Sequence, residues 1–341
     1  MRRREGLSIA AYAALTGLTL LLLGLCLCLG SAPVPVGETL RCLGAALTGQ
    51  PVDADAYRII VAVRLPRVLC AALVGAALAL SGAAMQGLLR NPLADGATLG
   101  VSAGASLGAV IAIALGLTLP GLPFSGTAVY AMAGALVSLL LILLLAGRID
   151  GSFSTNTVIL LGVIYSMLCN SLISLTITFA GSRVRHIAFW TLGSLSGSAY
   201  ADALLLLAAL ILFGGPLLLL GAELNAFATG EENARHMGVN VRRVRLTVLI
   251  CVSALTGVAV SVAGTIGFVG LVIPHMARLA AGPNYRKLLP ACLFAGAGFL
   301  LLCDLLARAA FPPLELPIGV ISSLLGAGVF LALFFRGMRV R

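Results

Sequence analysis

Apolar runs long enough to cross a bilayer recur along almost the whole chain and leave little room for anything else. They fall at about 7–30, 66–89, 97–116, 127–147, 157–180, 200–221, 246–266, 288–309 and 317–335. Each is near the ~20 residues a helix needs to span hydrocarbon. A shorter run, 268–281, carries Pro274, His275 and Arg278 and counts as a tenth span on charge grounds. The chain is 60% hydrophobic and 10% charged, against roughly 25% charged in soluble domains. No water-soluble core would absorb that much apolar surface. Forty glycines among 341 residues suit helices packed closely on one another. The expected fold is an all-α integral membrane protein, a single polytopic domain over residues 1–341 with ten transmembrane helices.

The net charge of +10 reports topology rather than nucleic-acid binding, because the basic residues are scattered over short loops with no basic face or interleaved aromatics. With ten spans, the 22 Lys and Arg divide into 15 on the side of the termini and 7 on the other. The positive-inside rule then makes both termini cytoplasmic. Dropping the short span would strand Arg286 and Lys287 outside and weaken that asymmetry. The first apolar run follows Met1-Arg2-Arg3-Arg4 and imitates a signal peptide, but it exceeds twenty residues and reads as an uncleaved first helix. Eight cysteines show no CxxC pair and no metal-ligand spacing, and in apolar runs Cys behaves as a small hydrophobe.

Two segments are polar. Ser31 to Val63 lies on the outer side. Glu223 to Arg245, on the inner side, is the most polar stretch of the chain. It predicts two short surface helices at about 223–229 and 231–237, the second opened by a Thr229-x-x-Glu232 capping box and stopped at Gly238. Such a segment is a docking surface in a chain with little other cytoplasmic mass. A further short helix is expected at about 187–197. There is no phosphate-binding loop, no HExxH and no GxSxG, and the three histidines 186, 236 and 275 are dispersed. An intramembrane charge occurs near Asp304, with Arg308 one helical turn on, and reads as a snorkelling pair at the outer end of its helix. Acids deep in several spans, expected of an ion-driven carrier, are missing, so the energy source lies outside this chain. An ion-gradient-driven secondary transporter is the alternative.

More specific signals follow in order. Arg64-Leu65-Pro66-Arg67 precedes a Gly-rich span ending Gly82-Ala83-Ala84-Met85-Gln86-Gly87-Leu88-Leu89-Arg90-Asn91-Pro92-Leu93-Ala94-Asp95. Then come Leu99-Gly100-Val101-Ser102-Ala103-Gly104, Trp190-Thr191-Leu192-Gly193-Ser194-Leu195, and Gly230-Glu231-Glu232 to Gly238-Val239. The last third adds Gly264-Thr265-Ile266-Gly267-Phe268-Val269-Gly270-Leu271-Val272-Ile273-Pro274-His275 and Glu315-Leu316-Pro317-Ile318-Gly319-Val320. From about residue 60 onward the chain resembles the permease subunit of ABC importers for iron–siderophores, haem and cobalamin. It departs at Gly96, where the family often has Pro, and at Gly326-Ala327-Gly328, in place of Gly-Ala-Pro.

The resemblance implies a multi-pass protein of the bacterial cytoplasmic (inner) membrane that pairs with a second copy, the pathway lying on the two-fold axis. Two ATPase subunits would dock from the cytoplasm, and a periplasmic or lipid-anchored substrate-binding protein from outside. ATP and Mg would bind the ATPases, leaving this chain without cofactor, metal or catalytic residue. The implied action is alternating access. Carried over residue by residue, Arg64, Arg67 and Arg308 would meet acidic residues of the binding protein; they equally suit helix ends near headgroups. Asn91 and Leu93, with Ser154, Thr155 and Asn156, would form the inner gate, although a small polar pair at a helix start is also a plain cap. Leu224, Asn225, Gly230, Glu231, Glu232, Arg235 and Gly238 would contact the ATPase. As a separate hypothesis, Arg183, Arg185 and His186 at the outer mouth attract an anionic ligand, or are simply loop charge. His275 sits in a shared motif and reads as structural. The expected cargo is a ferric siderophore, then haem or cobalamin.

Overall fold

The computed structural model describes residues 9–30, 34–49, 52–121, 124–151 and 153–338. They form fourteen helices: α1 Ile9–Cys28, α2 Val36–Thr48, α3 Ala54–Leu89, α4 Val101–Leu115, α5 Gly126–Ile149, α6 Thr155–Phe179 and α7 Val184–Thr191. The rest are α8 Tyr200–Leu219, α9 Gly221–Ala228, α10 Glu231–His236, α11 Val241–Ala263, α12 Val269–Ala281, α13 Tyr285–Ala309 and α14 Ile318–Met338. Among the described residues, strand pairing is limited to one bridge between Phe311 and Leu314. Seven helices (α1, α3, α5, α6, α8, α11, α13) are long and apolar enough to cross a membrane. The shorter apolar helices α4, α12 and α14 occupy the other three expected positions.

Similar apolar content leads to different places in the bundle. Over its most apolar window α3 is 83% buried, whereas α1 is 11% and α6 17% buried. The difference follows from side-chain size. A Cβ added at Gly75 would come within 2.2 Å of the Gly296 carbonyl oxygen of α13. At Gly82 it would come within 1.9 Å of the Gly270 oxygen of α12. Lipid tails are as apolar as leucine, so helices associate in a bilayer through close van der Waals contact, and bare backbone lets α3 be gripped from both sides. The pair α4–α5 uses the same device: a Cβ at Gly108 would sit 2.2 Å from the Tyr130 oxygen.

Pro274 lies inside α12 and, lacking an N–H, leaves the Gly270 carbonyl without its helical partner. Gln86, 3% exposed on α3, supplies the replacement: its amide nitrogen donates to the oxygens of Gly270 (3.4 Å) and Leu271 (3.2 Å). Its amide oxygen accepts from Arg278 at 3.2 Å, and Arg278 also reaches the Tyr285 hydroxyl at 3.2 Å. Two sequence motifs far apart in the chain thus answer each other. Two spans also contain π-helical turns, Arg58–Arg64 in α3 and Leu210–Gly214 in α8. In the first, the Val61 carbonyl accepts from the Tyr200 hydroxyl at 2.6 Å.

Candidate functional site

At the end of the bundle where α1 and α13 finish, the three arginines of interest turn inward. Arg64, Arg67 and Arg308 are 5%, 7% and 3% exposed, and Asp304 is 0% exposed. Asp304 accepts from Arg67 Nε at 2.8 Å through one oxygen and from Arg308 Nε at 2.9 Å through the other. Arg67 also holds Glu315 at 2.8 Å. The remaining guanidinium nitrogens cap α1, whose last carbonyls have no helical partners. Arg64 donates to Leu27 O (2.8 Å) and Cys28 O (3.1 Å), and Arg308 to Cys26 O (3.1 Å) and Leu29 O (3.2 Å). The expectation of an Asp304–Arg308 pair snorkelling to the surface is therefore corrected. Arg64, Arg67 and Arg308 stand together at this end of the bundle. Asp304 is the centre of a buried network, since both of its oxygens are taken by arginines from α3 and α13.

Beside this network, three motifs meet that lie at residues 190–195, 264–275 and 315–320 of the sequence. Ser194 N donates to Ala263 O (2.9 Å), Ile318 N to Gly193 O (3.1 Å), and the Thr265 hydroxyl to Thr191 O. Cβ atoms added at Gly193, Gly264 and Gly319 would lie 2.6, 2.4 and 2.3 Å from the backbone oxygens of Thr265, Trp190 and Leu192. Gly193 and Gly264 also carry positive φ, so glycine is required twice over. The three loops that start or end α7, α11 and α14 are locked to one another. The short helix α7 is Val184–Thr191 rather than 187–197.

Arg183, expected to attract ligand, closes α4. Its Nη1 donates to Ala114 O (2.9 Å) and Ile113 O (3.3 Å), just where Gly116 (φ +68) ends that helix. A helix C-terminus is negative and takes a cation, and Arg183 remains exposed there. Arg185 is exposed and stands 5.7 Å over the Phe189 ring, and His186 is exposed.

Helix α6 has two exposed faces of different character. Asn156, Leu160, Val163, Met167, Asn170, Ser171, Ser174 and Thr178 are all exposed and fall within about 100° on the helix. Ile164, Leu168, Leu172, Leu175 and Phe179, also exposed, form the adjoining face and are wholly apolar. The hydroxyls of Ser171, Ser174 and Thr178 fold back onto the carbonyls of Met167, Asn170 and Ser174. A carboxamide such as that of Asn170 is costly in hydrocarbon. The mixed face therefore looks onto water or another protein surface, and the apolar face onto lipid. Sequence periodicity contained this signal, and of that face the family resemblance names Asn156 alone.

At the opposite end, Asn91 and Leu93 are exposed after Arg90, which leaves α3 in a left-handed conformation (φ +50). The Leu93 amide donates to the Asn91 side chain at 2.9 Å, an Asx turn. Ser154 stands at the N-cap position of α6 without a side-chain bond to the helix backbone: its amide donates to Asp150 (3.1 Å) and its hydroxyl pairs with that of Thr157 (2.9 Å). Thr155 is half-buried and Asn156 exposed. Among the described hydrogen bonds none joins Asn91–Leu93 to Ser154–Asn156. The link runs through the turn Gly96–Leu99, where a Cβ on Gly162 would lie 2.3 Å from Thr98 O. Asp95 caps that turn, accepting from Ala97 N (2.7 Å) and Thr98 N (3.3 Å). Burial pushes its carboxyl above the usual range, against the pull of those two amides. Gly96 departs from the family's Pro where a Cβ would meet the Thr256 hydroxyl at 2.3 Å.

The two inner surface helices are present as α9 and α10. Gly238 (φ +83) stops α10, with Gly238 N to Arg235 O at 2.9 Å and Val239 N to Ala234 O at 3.0 Å, a Schellman motif. The capping box is not made. Thr229 ends α9 with its hydroxyl on Ala226 O (2.8 Å), and Gly230 (φ +121) opens α10 without a side-chain cap. Leu224 is 0% exposed and packs α9 onto the bundle. Asn225 ties α9 to the start of α13, donating to Asn284 (2.9 Å) and accepting from Tyr285 N (2.8 Å). Glu231 joins Arg235 and the buried Arg245, each at 2.7 Å, which leaves Glu232, Arg235 and Gly238 exposed. Neighbouring cavities of about 580 Å³ (with Glu223 and Arg243) and 520 Å³ (with Arg90 and Glu232) roughen this end.

The profile of the FecCD transport family matches residues 18–336. An uncharacterised ABC transporter permease protein of Bacillus subtilis, YvrB, is 44% identical, over 91% of this chain and 89% of that one. The vitamin B12 import system permease protein of Klebsiella pneumoniae is 40% identical, over 94% and 93%. The cobalamin import system permease protein of Halobacterium salinarum is 40% identical, over 83% and 74%. Among solved structures, a metal-chelate-type ABC transporter in an inward-facing conformation superposes with a TM-score of 0.85 at 31% identity, over 96% of this chain and all of that one. Spanning helices, a helix face that rejects lipid and a profile match along most of its length make this chain a multi-pass inner-membrane ABC-importer permease of the FecCD transport family.

Proposed function

We propose that the chain crosses the membrane ten times with both termini in the cytoplasm and works as a homodimer, importing a cobalt corrinoid by alternating access. The observation that carries the pathway is the mixed face of α6, with Asn156, Asn170, Ser171, Ser174 and Thr178 exposed along one side of a spanning helix. Two such faces, one from each copy, enclose a wide, weakly polar channel suited to a large chelate. Asn91, Leu93, Ser154, Thr155 and Asn156 close its inner mouth. Two ATPase subunits dock on α9 and α10 through Glu232, Arg235, Gly230 and Gly238, while Glu231 relays their movement to α11 through Arg245. ATP and Mg stay on those subunits, and this chain holds no cofactor.

A soluble or lipid-anchored binding protein delivers the cargo over the end that carries the Asp304 network. There Arg64, Arg67 and Arg308 hold α1, α3 and α13 together beneath the docked partner, and Glu315, partly exposed, is their outermost member. The family resemblance ranks a ferric siderophore first; the cobalamin permeases among the relatives move a corrinoid ahead of siderophore and haem. Arg185 and His186 draw in the anionic groups of any such chelate.

The test is uptake into proteoliposomes holding this permease with its ATPase and binding protein, using radiolabelled cyanocobalamin, a ferric siderophore and haem in parallel. ATP-dependent accumulation of the corrinoid alone supports the proposal. Accumulation of a siderophore or haem keeps the importer and replaces the cargo. Uptake driven by an ion gradient without ATP would make the chain a secondary carrier and overturn the reading.

A further inference from the structure

The outer segment between α1 and α3, expected as a polar loop, contains the thirteen-residue helix α2. One side of α2 packs on the first turns of α3: Cys42, Ala56 and Ile60 are buried together, flanked by Leu43, Val34, Tyr57 and Val61. The other side is apolar too. Val36, Leu40 and Leu47 are 62%, 64% and 90% exposed, and with half-buried Leu43 they lie within about 60° of one another on the helix. Exposing a leucine at 90% on an ordered helix is costly in water, and a stripe of this kind marks a contact surface.

Three observations identify what covers it. The amide of Val34 donates to the carbonyl of Cys28 at 3.3 Å, so α2 starts level with the end of α1, a helix whose 20 residues cover about the 30 Å of the hydrocarbon core. The neighbouring α1 also exposes apolar side chains, with Leu18, Leu20, Leu21 and Leu25 40–62% exposed. Finally, α2 packs on α1 and the start of α3, whereas α6, with its mixed face, packs on α4, α5 and the turn Gly96–Leu99. The helix stands on the lipid-facing flank, away from the face assigned to the pathway and the second copy.

We infer that α2 is an interfacial helix, lying in the outer leaflet with Val36, Leu40, Leu43 and Leu47 in the boundary between acyl chains and headgroups. Glu38 and Arg41, on its other sides, stay among headgroups and water. The occupant of the stripe is membrane lipid. The inference needs only the membrane setting of the chain and stands whether or not the cargo is a corrinoid. The start of α3, which leads into Arg64 and Arg67, is thereby held at a set depth by a helix floating on the bilayer.

The experiment places single tryptophans in the full-length permease, reconstituted in phosphatidylcholine–phosphatidylglycerol vesicles with or without lipids brominated near the glycerol end of the acyl chain. Leu40→Trp and Leu47→Trp report the stripe, Val36→Trp duplicates it if either fails to fold, and Arg41→Trp reports the flank. The single native tryptophan, Trp190, gives a background that is subtracted with the parent protein. Expected is blue-shifted emission at 40 and 47, with bromolipid quenching at least about twofold that at 41 and little quenching by aqueous iodide. Iodide quenching equal to that at 41 would mean a solvated helix and overturn the inference. Protection that develops only on adding the binding protein, with no bromolipid quenching, would identify a protein-docking surface and overturn it as well.

Discussion

Asp304→Asn isolates the energetic role of the buried network. Both carboxylate oxygens of the fully buried Asp304 are used, by Arg67 at 2.8 Å and Arg308 at 2.9 Å. The amide keeps the shape but loses the charge, offers one acceptor instead of two, and points an N–H₂ at a guanidinium. Two buried cations are then under-compensated. Breaking a buried pair in this way costs about 3–5 kcal/mol. Here the cost falls near the lower end, ~3 kcal/mol, since Arg67 keeps Glu315 and Arg308 keeps the carbonyls of Cys26 and Leu29. That is about a hundredfold in the unfolding equilibrium. The assay is SDS titration of the permease in mild mixed micelles, followed by far-ultraviolet circular dichroism. An Asp304→Asn protein within about 0.5 kcal/mol of the parent would refute the argument. It would show that the arginines are solvated and that α1 is not held by them.

Other substitutions test the remaining contacts. Gly82→Ala sets a methyl against the Gly270 carbonyl and should cost about 3 kcal/mol or more, seen as lost folded yield, whereas Gly37→Ala, with open space around it, should be silent. Gln86→Leu removes the donor that replaces Pro274's missing N–H and should cost about 1–3 kcal/mol, read in the same SDS titration, with Gln86→Glu failing to rescue. Glu231→Gln removes the carboxylate that pairs with buried Arg245 at 2.7 Å and should reduce permease-stimulated ATP hydrolysis more than Glu232→Gln does, measured in the reconstituted complex. Arg183→Ala should lower stability by about 0.3–1 kcal/mol through its cap on α4 and leave uptake unchanged; a selective uptake defect would restore it to the ligand path.

The positions of the spans, the two inner surface helices and the stop at Gly238 were legible because they depend on local quantities: run length, polarity and the tolerance of glycine for positive φ. The same local logic misread Thr229, since a capping box and a C-terminal threonine share one pattern, and Gly230 decided between them. It also read Asp304 from its neighbour Arg308 alone, as Arg67 and Glu315 come from other parts of the chain. Helix α2 was missed because its one apolar stripe is mixed with Glu38, Arg41 and several small residues.

Residence in the membrane follows from composition and run length alone, since no arrangement of these residues hides that apolar surface from water. Which spans are central and which are peripheral does not follow, because α1, α3 and α6 are comparably apolar. Burial of α3 is decided where Gly75 meets Gly296 and Gly82 meets Gly270, contacts between residues about two hundred positions apart. The same holds for Gln86 with Pro274, and for the glycines that join three loops. Their purpose appears once the backbone they touch is in place, for a hydrogen-bond partner or a close approach is a property of two segments and is written in neither.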